Sequence, residues 1–242
     1  MRKQLLLVAI LGVRAAQAQQ APPGFSGAAA QANLNALVQG LPTVVPTGNT
    51  EGLKGSPYAD DRWLMARLHL RNNVVLAPMP LKYDVLNRHL LMKPLNRPND
   101  SLQLSDQLVV SFDLDQPATS LAAARTRRFR RFAEAPIYQQ RAEYVEVLHE
   151  GRYTLLKRYA KSITKANFQQ AYNTDQRYDE IEDKDQYFLL RPDQKLVPLK
   201  LTLKMLEAAA PELAAALKAA PAVARARTDV EWGAVLDTVD AR

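Results

Sequence analysis

No cysteine occurs anywhere in the 242 residues. Disulfides, thiolate nucleophiles, cysteine-ligated zinc and iron-sulfur clusters are thereby excluded, and stability must come from burial alone. Histidine is nearly as scarce: His69, His89 and His149 are the only three, and no pair has the H-x-x-x-H spacing of a metal site. Each falls in a separate predicted strand, so surface or hairpin positions are expected. The nine glycines form no phosphate-cradling loop, and there is no G-x-S-x-G elbow and no S-x-x-K pair. No catalytic residue, no metal ligand and no cofactor are expected from these absences. A large excess of one charge is lacking as well. The formal charge of +7 aids solubility and weak attraction to anionic surfaces, but does not point to nucleic acid.

A transmembrane run is also missing, because the longest opening apolar stretch, Leu5 to Val13, breaks at Arg14, well short of the roughly twenty residues that a span needs. What stands there instead has the three-part layout of an export signal. Arg2 and Lys3 are basic, the apolar run follows, and Ala16-Gln17-Ala18 is an A-x-A-like cleavage site. Residues 1–18 are therefore expected to be removed, leaving Gln19 as the first residue of a protein in the periplasm or at the cell surface. Loss of Arg2, Lys3 and Arg14 takes three of the seven excess positive charges.

From Gln19 to Lys54 the chain is rich in Ala, Gln, Gly and Asn and is broken by Pro22, Pro23, Pro42 and Pro46. It reads as a flexible segment, with a short helix around Leu34, Leu37 and Val38. A period of two then dominates residues 55–200. Leu64, Ala66, Leu68 and Leu70 point one way and Trp63, Met65, Arg67 and His69 the other, with Asn72-Asn73 as a turn before 74–76. Leu108, Val110, Phe112 and Leu114 are predicted to share one face of a strand. Further strands are expected at 81–85 and 89–92 around Asn87-Arg88, at 144–148 and 153–159 around Glu150-Gly151, and at 187–190 and 196–199 around Arg191 to Gln194. The class is mainly β with α: an antiparallel meander forming an open barrel or a sandwich. Residues 201–242 turn to helical spacing through Leu203, Leu206, Leu213, Leu217, Trp232, Val235, Leu236 and Val239, with Thr228 to Glu231 as a capping box. Two or three short helices are predicted there, packed on the sheet.

Three landmarks in this order carry a resemblance: Gly55-Ser56-Pro57-Tyr58, Pro80-Leu81-Lys82-Tyr83-Asp84-Val85, and the run from Glu150 to Tyr159. Over residues 55–210 the chain resembles a family of small uncharacterised exported proteins common in Bacteroidota-type bacteria. Asp84 stands where that group has Asn, and Ala59 where it has a larger apolar residue. The resemblance implies export and fold, and no chemistry.

Two segments invite a functional reading. The acidic run Asp179 to Asp185 offers oxygen ligands, but without the turn glycine and spacing of a calcium loop it is expected to be a solvated loop. Arg125, Arg127, Arg128, Arg130 and Arg131, interleaved with Phe129 and followed by Phe132, form the candidate anion-binding patch. The preferred alternative is a strand whose two phenylalanines pack inward while the arginines stay in solvent, splayed or singly paired. The leading function is an exported, non-enzymatic envelope protein binding a protein partner or an anionic envelope component. The alternatives are a carrier holding a lipid or apolar small molecule within a curved sheet, and a hydrolase acting through carboxylates.

Overall fold

The computed structural model describes residues 44–46, 53–73, 76–93, 100–105, 107–120, 122–166 and 178–240. The helix expected around Leu34 and the export signal lie outside them. Fourteen strands are described: β1 (Val44–Pro46), β2 (Leu53–Lys54), β3 (Leu64–Leu70), β4 (Met79–Asp84), β5 (His89–Met92), β6 (Asp100–Gln103), β7 (Val109–Gln116), β8 (Arg125–Arg131), β9 (Tyr144–Glu150), β10 (Thr154–Arg158), β11 (Lys161–Thr164), β12 (Asp179–Asp183), β13 (Gln186–Leu190) and β14 (Leu196–Leu199). Three α-helices follow, α1 (Leu203–Ala209), α2 (Ala214–Ala219) and α3 (Asp229–Val239), linked by short 3-10 turns that begin at Pro211 and Pro221.

Ten strands make one large antiparallel sheet, with short β1 added at its edge as an eleventh, in the order β1-β6-β5-β4-β3-β7-β8-β9-β10-β13-β14. Both edge strands carry a proline, Pro46 in β1 and Pro198 in β14. Of the predicted hairpins, β4 with β5, β9 with β10, and β13 with β14 pair as the turns foretold. Arg88 and Gln194 take the left-handed conformation, with φ of 62°, in two of those turns. Strands β1 and β2 fall inside the stretch read as flexible.

The sheet is not closed into a barrel, yet it is strongly curled. Strands β4 and β9 are four places apart in the sheet, a separation of about 19 Å if it were flat. Even so, the Tyr83 hydroxyl accepts a hydrogen bond from the Tyr144 backbone N–H at 3.2 Å, and their rings meet edge to face at 5.6 Å. Phe112 and Phe129, a cross-strand pair, stack at 4.8 Å beside them. These aromatics and the inward residues Leu64, Ala66, Leu68, Leu70, Leu81 and Leu90 fill the concave side.

One face assignment needs correction. Val109, not Val110, is buried in β7, and Val110 is 43% exposed. The register with β3 shifts between His69 and Leu70, so that Leu68 faces Phe112 but Leu70 faces Val109. A bulge consumes one residue and reverses the alternation on its far side.

The helices cover the far half of the sheet on the same face as Phe129, because the cross-strand row Phe129, Glu146, Lys157, Tyr187 and Leu199 runs along that face from β8 to β14. Leu206, Leu217, Trp232, Val235 and Leu236 pack on Tyr153, Leu155, Leu189 and Leu199, each large apolar side chain contributing about 2 kcal/mol by leaving water. The capping box at Thr228 forms as predicted, its side chain accepting from Glu231 N while the Glu231 carboxylate accepts from Thr228 N. A smaller cluster joins Phe132 to Phe188 at 5.1 Å, with Val145 and Leu156.

A second sheet, β11-β12-β2, was not foreseen as separate, and its β12–β2 pairing is parallel. Gly55, next to β2, has φ of +98° and sits so close to β12 that a Cβ would lie 2.7 Å from the Ile181 carbonyl oxygen. Only glycine fits there. Of the acidic run expected as a solvated loop, Asp179 to Asp183 form strand β12 and only Lys184 and Asp185 lie between it and β13. Its carboxylates are met by Lys54, Lys161, Lys165 and Lys184, which lets like charges stand side by side in a strand.

Candidate functional site

Strand β8 carries the candidate arginines, and its alternation distributes them. Arg127 shares the inward parity of Phe129, and at 4% exposure it is buried against the expectation that the arginines stay in solvent. On neighbouring β9, Glu146 shares the inward parity of Tyr144 and is 1% exposed. Their meeting is a direct result of pairing β8 with β9, which sets Glu146 opposite Phe129. Arg127 Nε donates to Glu146 Oε1 at 3.2 Å and Nη2 to Oε2 at 3.0 Å, the bidentate match of a planar guanidinium to a carboxylate. Nη2 also donates to the Tyr159 hydroxyl at 2.6 Å, which in turn donates to Glu146 Oε2 at 2.5 Å. Nη1 reaches Asp60 Oδ2 at 3.2 Å.

Arg125 joins the same group, with Nη1 3.1 Å from Glu146 Oε1 and Nε donating to Gln116 Oε1 at 3.2 Å. On the other wall, Lys157 of β10 donates to Asp229 Oδ2 at 2.8 Å and lies 3.1 Å from Asp185 Oδ2. Lys161 of β11 pairs with Asp183. All of these side chains except the buried Glu146 line an open cleft of about 340 Å³ where the large sheet, the small sheet and the start of α3 converge. A second cleft of about 670 Å³ adjoins it. The two share Gln116 and Arg125, and the second continues past Thr126 and Met65 to Trp63.

The ionisation of these groups is displaced as their partners dictate. Burial works against the Arg127 and Lys157 cations, but the charges of Glu146, Tyr159 and Asp60 on the first, and Tyr159, Asp229 and Asp185 on the second, outweigh it and raise both pKa values. Burial, then the Glu146 charge, pushes the Tyr159 phenol up. Burial also works to raise Asp60 and Asp229. For Asp60 the hydrogen bonds and charges of Arg62 and Arg127 prevail, and for Asp229 those of Lys157, so both carboxyls end below their ordinary range.

The other three arginines go elsewhere. Arg128, on the outer face, pairs with Glu150 at 2.6 Å in solvent, and Arg130 pairs with Glu134 at 2.8 Å. Arg131 lies over the Tyr144 ring, its Cζ 4.0 Å from the centroid, and donates to the carbonyls of Val109 and Ala142. The five residues thus do not form one patch. Phe129 and Phe132 are both fully buried, in different clusters.

Sequence reasoning missed Asp60, Glu146, Lys157, Tyr159 and Asp229 as members of a site. A signal for Glu146 was present: an acidic residue two places after an inward tyrosine has the parity of the core. His149 was read as a surface or hairpin residue, yet it is 4% exposed. Its Nδ1 lies 2.5 Å from Asp237 Oδ1 and its Nε2 3.0 Å from Asp240 Oδ2. Among the described residues, no group of three or more His, Asp or Glu is arranged to hold a metal ion, and no helix is long and apolar enough to cross a membrane. No protein-family model matches the chain, and neither a curated protein nor a solved structure does.

Proposed function

We propose that the chain is an exported, non-enzymatic envelope protein that binds a hydroxyl-rich component, of glycan character, along the joined clefts from Trp63 to Lys157. The carrying observation is that the cations lining the inner cleft are already matched to carboxylates in or behind its wall: Arg127 with Asp60 and the buried Glu146, Lys157 with Asp229 and Asp185, Lys161 with Asp183. A ligand of one charge would have to break such pairs and leave a buried partner uncompensated, at about 3 kcal/mol or more. A neutral polyol needs no such rupture, since each hydroxyl donates to a carboxylate while accepting from an ammonium or guanidinium.

Two further observations favour binding over the alternatives. An acid catalyst at a glycosidic bond needs a carboxyl held protonated, whereas Asp60 and Asp229 are held below their ordinary range by basic partners. A carrier needs an enclosed apolar chamber, whereas the sheet is not closed and this cleft is walled by charged groups.

Titration calorimetry of neutral and anionic oligosaccharides against the natural protein, Gln116→Ala and Asp183→Asn tests the reading. Neutral oligosaccharides are expected to bind and to weaken in both variants. Absence of binding, or binding indifferent to both substitutions, would remove this cleft from consideration. Export is tested separately by mass spectrometry of the secreted form, where a start at Gln19 is expected and a start at Met1 would overturn it.

A further inference from the structure

We propose that Trp63 is a stacking platform at the end of the joined clefts, and that the ligand it takes is an extended, β-linked oligosaccharide of pyranose rings with equatorial hydroxyls. This rests on the hydroxyl-binding reading above and adds to it a ring recognised by its C–H face. Trp63 stands immediately before β3 with the outward parity of Met65, and the two line the cleft of about 670 Å³ together with Asp115, Pro117 and Thr126.

The register of the sheet sets which way the indole faces. Leu64 pairs with Leu81 and Met65 with Pro80, so Trp63 falls opposite Lys82 of β4. The Lys82 ammonium lies over the indole, 5.1 Å from its centroid, and 4.5 Å from that of Tyr58, where the π electrons attract a cation. On its other flank β3 pairs with β7, Met65 with Asp115, and the cleft is walled by the end of β7 and the start of β8. A ring addressed on one face from β4 turns its opposite face toward β7 and the cleft. The Lys82 contact also holds the indole in one orientation, so little side-chain freedom is lost when a ligand covers it.

A flat, partly exposed indole beside polar groups matches the two kinds of surface on a pyranose. Sugar C–H bonds, polarised by the adjacent oxygens, point from the ring face toward the negative face of an aromatic. Equatorial hydroxyls leave around the edge, where the cleft supplies their partners. Thr126 donates to Asp115 Oδ1 at 3.1 Å and keeps lone pairs that accept, while Gln116 accepts from Arg125 Nε at 3.2 Å and carries amide N–H donors. An axial hydroxyl would stand between the sugar and the indole. From Trp63 beside β3 to Lys157 of β10 the clefts cross four strand spacings, about 19 Å along the sheet. One sugar covers only part of that length, and β linkages between equatorial positions keep several rings extended.

Calorimetry and tryptophan fluorescence on the natural protein test this with three neutral probes: cellotetraose, glucose, and inulotetraose, a hydroxyl-rich chain of furanose rings. Cellotetraose is expected to bind roughly tenfold or more tighter than the other two. It should also shift the emission of Trp63, since Trp232 is 6% exposed and lies in the helix cluster. Trp63→Leu keeps apolar bulk without the ring and should weaken cellotetraose roughly tenfold or more, whereas Trp63→Phe keeps a ring face and should stay within about threefold while losing the emission change. The platform is overturned, and the hydroxyl-binding reading survives, if Asp183→Asn weakens oligosaccharide binding but Trp63→Leu does not, if inulotetraose binds as tightly as cellotetraose, or if saturation leaves the natural emission unchanged. If neither tetrasaccharide binds, both fall. Should Trp63→Leu melt early, the emission change in the natural protein, with binding retained in Trp63→Phe, decides the matter.

Discussion

His149 and Asp240 stand 91 residues apart in sequence and meet in the interior, Nε2 to Oδ2 at 3.0 Å, with the aspartate 1% exposed. The same carboxylate oxygen accepts from the Tyr153 backbone N–H at 2.8 Å. Because Asp240 is the C-terminal cap of α3, this contact ties the end of the helix to the β9–β10 hairpin. The other imidazole nitrogen faces Asp237, so the ring bridges two positions of one helix end.

His149→Ala is accordingly expected to destabilise the protein by about 3 kcal/mol, since it strands a buried carboxylate. Asp237→Ala, whose side chain is 64% exposed, should cost at most about 1 kcal/mol. Urea unfolding followed by tryptophan fluorescence measures both, and equal costs would contradict the assignment.

Gly151→Ala tests the same junction from the other side. A Cβ at Gly151 would lie 2.5 Å from Asp240 Oδ2 and 2.8 Å from His149 Nε2, atoms that hydrogen bonds prevent from moving aside. A loss of about 2 kcal/mol is expected. Combined with Asp240→Ala, much of that loss should disappear, because the obstructing carboxylate is gone.

Arg127 and Arg128 are adjacent and chemically identical, and their substitutions should differ widely. Arg127→Gln leaves Glu146 in the interior with Arg125 as its remaining basic neighbour, and about 3 kcal/mol should be lost. Arg128→Gln removes a pair whose side chains are 58% and 52% exposed, and the change should stay within about 1 kcal/mol. Equal midpoints for the two variants in urea would refute the inward placement of Arg127.

The junction of Lys157 with Asp229 sets a pH window. Asp229 is held below its ordinary 3.8, so the folded state takes up that proton later than the unfolded chain. Its contribution is complete above about pH 5 and is lost as the pH falls through 3.8 and below. Lys157 is raised above its ordinary 10.5, so its contribution is complete below about pH 9 and is lost as the pH rises past 10.5. Asp229→Asn should therefore be less stable than the natural protein at about pH 7, and the gap should close at about pH 2. A gap that persists in acid would show that the charge is not what matters.

The alternation of β3, the turns at Asn87-Arg88 and Arg191 to Gln194, and the Thr228 capping box were legible because each depends on residues a few places apart. The phase of Val110 was not, since the bulge that reverses it is a property of the β3–β7 pairing. The burial of Arg127 was missed for a related reason. Its own neighbours are arginines, and only Glu146, brought alongside by the sheet, makes an inward guanidinium tolerable. The clefts gather side chains from β7, β8, β10, β12 and α3, and no local pattern announces which distant segments will adjoin.

Among the described residues the open sheet ends in two edge strands, β1 and β14, and an unpaired row of backbone N–H and C=O groups at such an edge is a template onto which a second chain can add a strand. Each of these edges carries a proline, Pro46 in β1 and Pro198 in β14, and a residue without an N–H interrupts the ladder that an incoming strand would need. The protein can thus leave its sheet unsealed and still resist growing into fibres. Replacing Pro198 with valine, which pairs well in strands, should leave the fold intact while promoting self-association that deepens with concentration.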